Sequence, residues 1–276
     1  MPSLKFAKMQ GLGNDFMIVD AISQNVSLNQ FQVPQLSHRH LGIGFDQLLI
    51  IEPSTIADFG CRIMNADGSE AEQCGNGLRC VASFIAEKGL STQKQFTIAT
   101  RAGIYNAVIL PDNQVQIEMG LPCFEPTRIP FLTDSIKNLY PFNLNEHDAV
   151  QLSVLSMGNP HAVLQVDALN NFPVTEIGRQ IAADQAFPQS TNVGFMEIID
   201  RRHIRLRTFE RGSGETHACG SNACAAVVSG IINNTLDNKV KVQLKFGELA
   251  IEWPEKTKPV LMTGPAVHIF DGILNT

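Results

Sequence analysis

Long runs of positive charge are missing from this chain. Its 21 Lys and Arg against 27 Asp and Glu give a formal charge of −6, and no basic run is longer than Arg201-Arg202. Such a surface has no electrostatic footprint for nucleic acid or for an anionic membrane. No stretch approaches the roughly 20 apolar residues of a membrane-spanning helix, and Met1 to Lys8 has no apolar core of a secretion signal. The expected compartment is the cytoplasm. Cys-x-x-Cys is absent as well. Six cysteines in 276 residues are too sparse for a disulfide scaffold, and Cys74-x5-Cys80 and Cys219-x4-Cys224 do not converge as zinc ligands do, so no metal is expected. Gly-x-Gly occurs at Gly11, Gly42 and Gly75, but Phe16, Gln47 and Cys80 stand where a dinucleotide fingerprint needs its third glycine, and there is no Walker sequence. With no nucleotide cofactor, nucleic acid or membrane implied, small-molecule chemistry is what remains.

What is present is a repeat. Glu70 to Asn76 and Glu215 to Ser221 both read Glu-x-x-x-Cys-Gly-(Asn/Ser), with their cysteines 145 positions apart. The same offset relates Gly13-Asn14 to Gly158-Asn159, Gln47 to Asn192, Arg62 to Arg207 and Asn65 to Glu210. This is an internal duplication with a thiol at the matching place in each copy. A duplicated fold facing itself brings two equivalent thiols to opposite sides of one small molecule, which suits removal of a proton from one face and its return on the other.

The periodicity predicts a mixed α/β (α+β) fold rich in strands. Strand patterns run over Asp15–Asp20, Gln47–Glu52, Phe96–Thr100, Ile104–Leu110 and Val115–Glu118, and in the second half over Gln151–Leu155, Ala162–Val166, Phe195–Ile199, Ile204–Phe209 and Val240–Phe246. Helices are expected over Gly77–Lys88 and Asn222–Ile232, each just after a repeated Cys-Gly pair, with weaker signals at Pro34–His40 and Thr175–Ala183. Met119-Gly120 and Thr263-Gly264 mark the equivalent ends of the two copies. The expected domains are residues 1–119 with 264–276, and 120–263, the strand-like tail after Gly264 crossing back to complete the first.

A thiol at the mouth of a helix has a chemical consequence. The first backbone amides of a helix lack internal partners and the helix dipole is positive there, so an anion is stabilised and a cysteine becomes a better acid. The same amides hold a carboxylate. Alone, each cysteine reads as a small buried hydrophobe, and that is the expectation for Cys61, Cys80, Cys123 and Cys224. The shared motif reverses it for Cys74 and Cys219. Asn14 and Asn159, Gln47 and Asn192, Asn65 and Glu210, and Asn76 and Ser221 read singly as turn and cap residues, but their recurrence beside the thiols points to a shared ligand site. Glu210-Arg211 offers a carboxylate and a guanidinium to a zwitterion, and His161 follows Asn159-Pro160.

These residues also carry a resemblance. Asn65-Ala-Asp-Gly-Ser-Glu-Ala-Glu-Gln-Cys74-Gly-Asn-Gly-Leu-Arg79 resembles the signature of the diaminopimelate epimerase family, as do Gly11-Leu-Gly-Asn-Asp-Phe16, Met157-Gly-Asn-Pro-His161, Glu210-Arg-Gly212 and Ala218-Cys-Gly-Ser221. The resemblance implies a pyridoxal-independent enzyme without cofactor that interconverts LL- and meso-diaminopimelate in lysine and peptidoglycan-precursor synthesis. It implies two pseudo-symmetric domains, each a curved, mostly antiparallel sheet around a central helix, with the site in the cleft between them. By position, Cys74 and Cys219 would be the acid/base pair. Gly75, Asn76, Gly220 and Ser221 would bind the reacting carboxylate, and Asn65 and Glu210 the reacting amine. Asn14, Gln47, Asn159, Asn192 and Arg211 would take the distal end, and His161 and Glu210 would adjust thiol basicity. Two departures stand out: His217 and Asn222 occupy positions where the family often has Gln and Gly, and Phe270 stands where some members have a tyrosine linked to dimer formation. A homodimer is expected, with Phe270 in the contact. A two-cysteine proline or hydroxyproline racemase is the nearer alternative, and a redox-sensing thiol module the more distant one.

Overall fold

The computed structural model describes residues 3–26, 32–144 and 149–275. The chain divides into two compact units, Met1–Ile117 with Gly264–Thr276, and Glu118–Thr263. The first contains β1 (Ser3–Gly11), β2 (Asn14–Asp20), the short helix α1 (Val33–Ser37), β3 (Gln47–Glu52), β4 (Phe59–Asn65), β5 (Glu70–Ala71), α2 (Gly75–Glu87), β6 (Gln95–Thr100), β7 (Gly103–Ile109) and β8 (Val115–Glu118). The second contains β9 (Tyr140–Asn143), β10 (Ala149–Ser156), β11 (Pro160–Gln165), α3 (Val174–Ala182), β12 (Asn192–Asp200), β13 (His203–Glu210), β14 (Gly214–Thr216), α4 (Gly220–Ile232), β15 (Lys239–Leu244), β16 (Gly247–Glu252) and β17 (Leu261–Gly264). The last strand is β18 (Val267–Asn275), and it pairs antiparallel with β1 from Ser3↔Asn275 to Gln10↔Val267.

The pairings repeat as the sequence does. β1–β2 and β10–β11 are antiparallel hairpins, β2–β3 and β11–β12 are parallel, and β3–β4 and β12–β13 are antiparallel. Parallel β4–β6 answers parallel β13–β15, and antiparallel β6–β7 answers β15–β16. Each first hairpin turns on a glycine at positive φ, Gly13 at 87° and Gly158 at 92°, where a side chain would be strained.

Helices α2 and α4 are each 13 residues long. Every residue of α2 from Gly75 to Ile85 is buried, as is every residue of α4 from Gly220 to Gly230. α2 packs against β1, β2, β3, β7 and β18, and α4 against β10, β11, β12, β13 and β16, so each is a core wrapped by its own sheet. The run Ala223-Cys-Ala-Ala-Val-Val permits this, because small side chains let strands approach on every face. Both helices stop on a left-handed residue, Gly89 at φ 67° and Asn234 at φ 61°, the two residue types that tolerate it best. Leu90 N then donates to Ile85 O at 3.0 Å and Thr235 N to Gly230 O at 2.9 Å. A fully buried arginine on α2, Arg79, donates from Nε to Pro265 O at 3.2 Å and so fastens the segment leading into β18.

Candidate active site

In each unit a cysteine occupies the N-cap position of the central helix. Cys74 has extended backbone, φ −148° and ψ 106°, and its Sγ accepts the amide of Gly77 at 3.4 Å. Cys219 is the cap of α4 with φ −127° and ψ 113°, and its Sγ lies 3.5 Å from Ser221 Oγ. The helices therefore begin two residues before the expected starts at Gly77 and Asn222, because the cysteines rather than the glycines close the first turn. Gly75 and Asn76 thus stand in the first turn of α2, and Gly220 and Ser221 in that of α4, at the positive end of each helix dipole.

Strand ends bring the first unit's polar residues to that mouth. Gln47 is paired with Phe16 of β2 and with Asn65 of β4, so Asn14, Gln47 and Asn65 lie at one edge of the sheet. Asn14 Oδ1 accepts from Cys74 Sγ at 3.6 Å and from Asn76 Nδ2 at 3.4 Å. Gln47 Nε2 donates to Asn65 Oδ1 at 2.9 Å, and Asn65 Nδ2 donates to Ser69 Oγ at 3.0 Å. Gln47 Oε1 is buried with no hydrogen-bond partner among the described residues. Behind Asn14 stands a group of charges that sequence reasoning missed. Asn14 Nδ2 donates to Asp46 Oδ2 at 2.8 Å, and Arg39 holds both Asp15 (2.9 Å) and Asp46 (2.7 Å). Buried Lys8 reaches Asp15 at 2.5 Å and also the Gly44 carbonyl. Burial alone would raise the Asp15 carboxyl, but hydrogen bonds from Arg39 and Lys8, with their charges, hold it at about 2.

The second unit repeats the arrangement with different chemistry. His161 is the parallel-ladder neighbour of Asn192, and Val193↔Phe209 brings Asn192 beside the end of β13, where Glu210 stands. His161 is fully buried; its Nε2 lies 2.9 Å from Asn159 Oδ1, and its Nδ1 has no partner among the described residues. Burial, with the Arg211 charge adding to it, pushes its pKa down to about 3, so the ring is neutral. Asn192 Nδ2 donates to Pro160 O at 3.0 Å, and Asn192 Oδ1 accepts the Arg211 amide at 3.0 Å. The Arg211 side chain is exposed, with Nη1 donating to Gln189 O at 3.1 Å. Glu210 accepts a hydrogen bond from Thr216 Oγ1.

The thiols themselves differ. Cys74 is half-buried and Cys219 is buried. Burial first and the negative charge of Glu210 second push the Cys219 thiol well above its ordinary range, so it rests protonated. None of the six cysteines is joined in a disulfide. Cys61, Cys80 and Cys224 are buried, the first two held neutral by burial, whereas Cys123 is only half-buried, its backbone bridging Ser156. An open groove of about 680 Å³ on the second unit is lined by Arg205, Arg207, His217, Gln243 and Lys245 among others, but Cys219 does not line it. Phe270, on β18, is 46% exposed and packs edge-on to Phe6 at 6.2 Å. No helix among the described residues is long and apolar enough to cross a membrane.

Comparison with known proteins follows the same division. The family model described as diaminopimelate epimerase matches over residues 6–124 and again over 153–269. The chain is 49% identical to the diaminopimelate epimerase of Nitrosomonas europaea, over 99% of both chains, and 49% identical to that of Chromobacterium violaceum, over 98% of both. Among solved structures, a hydroxyproline epimerase from Agrobacterium vitis superposes with a TM-score of 0.70 at 12% identity, covering 99% of this chain and 92% of the other, a likeness of fold.

Proposed function

The chain belongs to the diaminopimelate epimerase family, and from that premise we propose that Cys74 and Cys219 are the acid/base pair that inverts one α-carbon of diaminopimelate. The reaction is the interconversion of the LL and meso isomers, a step of lysine biosynthesis. High identity along the whole chain favours this over the proline or hydroxyproline racemase and over a redox-sensing module. The observation that carries the assignment is that both cysteines stand at the N-cap of buried helices of equal length, each within a matching set of strand-end side chains.

The chemistry follows from those positions. An α-hydrogen beside an ammonium and a carboxylate is a weak acid, and the developing negative charge needs stabilisation where it forms. The amides of Gly75, Asn76, Gly220 and Ser221, in the first turns of their helices, supply fixed positive dipoles for that carboxylate, among the larger catalytic effects available to an enzyme. In one direction the Cys74 thiolate removes the hydrogen as a proton, and the Cys219 thiol delivers its own to the opposite face. One C–H bond breaks and one forms, and the thiols exchange protonation states. In the other direction the roles reverse, so Cys219 must then be the thiolate beside Glu210. A substrate ammonium held by Asn65 and Glu210 offsets that carboxylate, which lowers the cost of ionising Cys219 only when substrate is bound. Asn14, Gln47, Asn159, Asn192 and Arg211 take the distal end. The unpartnered Gln47 Oε1 is a ready acceptor for its ammonium, and Arg211 for its carboxylate a donor. Neutral His161 orients Asn159 and adds no charge near Cys219.

We assign the activity to the cytoplasm, where a reducing environment keeps both thiols free, and propose a homodimer through β18. Exposed Ile269, Phe270 and Ile273 on that strand support the second assignment. The deciding experiment follows LL-diaminopimelate by chiral chromatography in deuterium oxide. Formation of the meso isomer with one deuterium at the inverted carbon is expected, and epimerisation by both Cys74→Ala and Cys219→Ala would refute the two-thiol scheme.

A further inference from the structure

The two copies differ beneath the first turn of their central helices. In the first, Leu49 on β3 and Ile63 on β4 are cross-strand partners, both fully buried. Leu49 Cδ1 lies 3.2 Å from where a Cβ on Gly77 would stand, so this turn rests on hydrocarbon and leaves room there for a glycine. The counterparts 145 positions later are Gly194, Thr208 and Asn222. Gly194 and Thr208 are again cross-strand partners, but the large side chain has changed sides. Asn222 Oδ1 now lies 2.4 Å from where a Cβ on Gly194 would be. Leu, Ile and Gly have become Gly, Thr and Asn at three matching positions.

The exchange leaves polar atoms indoors. Asn222 is 0% and Thr208 1% exposed, and Nδ2 and Oδ1 of Asn222 and Oγ1 of Thr208 are buried with no hydrogen-bond partner among the described residues. Each such atom forfeits its hydration when left unpaired, a penalty that the first copy's hydrocarbon avoids. A water needs two to four polar partners to occupy a buried site, and the Asn222 amide, seated over Gly194, with Thr208 Oγ1 of the cross-strand partner, offers three such atoms.

We propose that Thr208 and Asn222 bind one internal water under the first turn of α4, and that this site makes Asn222 a positioning residue for Cys219. The proposal rests on the assignment of Cys219 as an acid/base group. Asn222 carries both parts of the device. Its backbone amide is the counterpart of the Gly77 amide that caps Cys74, and its side chain is tied through the water to the strand that ends in Glu210. In the first copy the turn is set by packed hydrocarbon, and in the second by a hydrogen-bonded tether. The tether fixes how the Asn222 amide and the Ser221 hydroxyl meet the Cys219 sulfur.

A crystal structure of the wild-type enzyme should contain an ordered water bonded to Asn222 and Thr208; a direct Thr208–Asn222 bond or a dry contact would overturn the water site. The positioning role is tested by Gly194→Leu/Thr208→Ile/Asn222→Gly, which copies the first unit's packing into the second. The expected protein is as heat-stable as wild type but about tenfold slower in kcat with KM little changed. On a Cys74→Ser background, its Cys219 thiolate absorbance should also titrate at higher pH. An unchanged kcat and an unchanged titration in the folded variant would overturn the role. Should the triple variant not fold, Thr208→Val and Asn222→Ala are read in the same way. The titration reports Cys219 without any turnover, so it separates failure of this inference from failure of the catalytic assignment, which activity of Cys219→Ser would reveal.

Discussion

Replacing His161 by Gln should change how the stability of the second unit depends on pH. The wild-type imidazole has a pKa of about 3 in the folded state against 6.5 when free. A group whose folded pKa is depressed below its unfolded value contributes stability that is present above 6.5 and is lost as pH falls, because the unfolded chain takes up the proton first. Each pH unit in that window costs about 1.4 kcal/mol, so by pH 4 the loss is about 3 kcal/mol. Gln can keep a hydrogen bond to Asn159 Oδ1 without titrating. It should cost about 1–2 kcal/mol at pH 7.5 through poorer packing and a weaker bond, yet be more stable than wild type at pH 4. The assay is urea unfolding followed by tryptophan fluorescence at pH 7.5, 6, 5 and 4. The chain's single tryptophan, Trp253, is buried in the same unit as His161 and reports that unit's unfolding. A wild-type-minus-variant difference that stays constant across these pH values would refute the account of a buried neutral imidazole.

Other outcomes follow from the same structure. Glu210→Gln removes the charge second in line for raising Cys219, so on a Cys74→Ser background the Cys219 thiolate should appear at lower pH, while epimerisation should fall through loss of the proposed ammonium partner. A titration that does not move would discount that charge. Asp15→Asn breaks the contacts with Lys8 and Arg39 that stand behind Asn14; stability above pH 4 should drop by about 1–3 kcal/mol, and the deficit should shrink as pH falls towards 2, where the wild-type carboxylate is itself protonated. Unfolding curves of equal offset at pH 7 and pH 2.5 would count against this. Gly178→Ala places a Cβ 2.5 Å from Phe209 Cβ, and a melting temperature within a degree of wild type would contradict the contact between α3 and β13, since overpacking costs about 1–3 kcal/mol. Phe270→Asp tests the proposed dimer through β18: it should lower the sedimentation mass from dimer to monomer without lowering monomer stability by more than about 1 kcal/mol, given its half-exposed ring.

The elements that sequence reasoning located are those whose signal is local. β3 and β8 run over the residues expected, because Leu48-Leu-Ile-Ile51 and the alternating Val115-Gln-Ile-Glu118 are strand-forming without help from neighbours. β1 and β4 were not anticipated. In β1 two lysines interrupt the apolar pattern, and Lys8 is buried only because Asp15 and the Gly44 carbonyl meet it; in β4 the run Phe59-Gly-Cys-Arg is unremarkable until β3 pairs with it. The site divides likewise. A fixed offset was enough to align Asn14 with Asn159 and Gln47 with Asn192. It could not reveal that Asn14 leans on Asp46 and Arg39, since those partners lie 32 and 25 positions away and are brought together only by the sheet. Asn222 was visible as an oddity in the sequence, but its meaning depended on Gly194, a glycine with no motif of its own.

The pairing of β18 with β1 also has a temporal consequence. A ribosome delivers Ser3 before the second unit and Val267 after it, so the first unit cannot close its sheet, nor Arg79 find the Pro265 carbonyl, until the second unit has been made. The second unit, continuous from Glu118 to Thr263, meets no such delay. The half that emerges first is therefore the half completed last, and a nascent or prematurely terminated chain presents β1 without the strand that should lie along it. Such an uncovered strand is what chaperones and proteases act on, which makes β18 a checkpoint that both units have been synthesised.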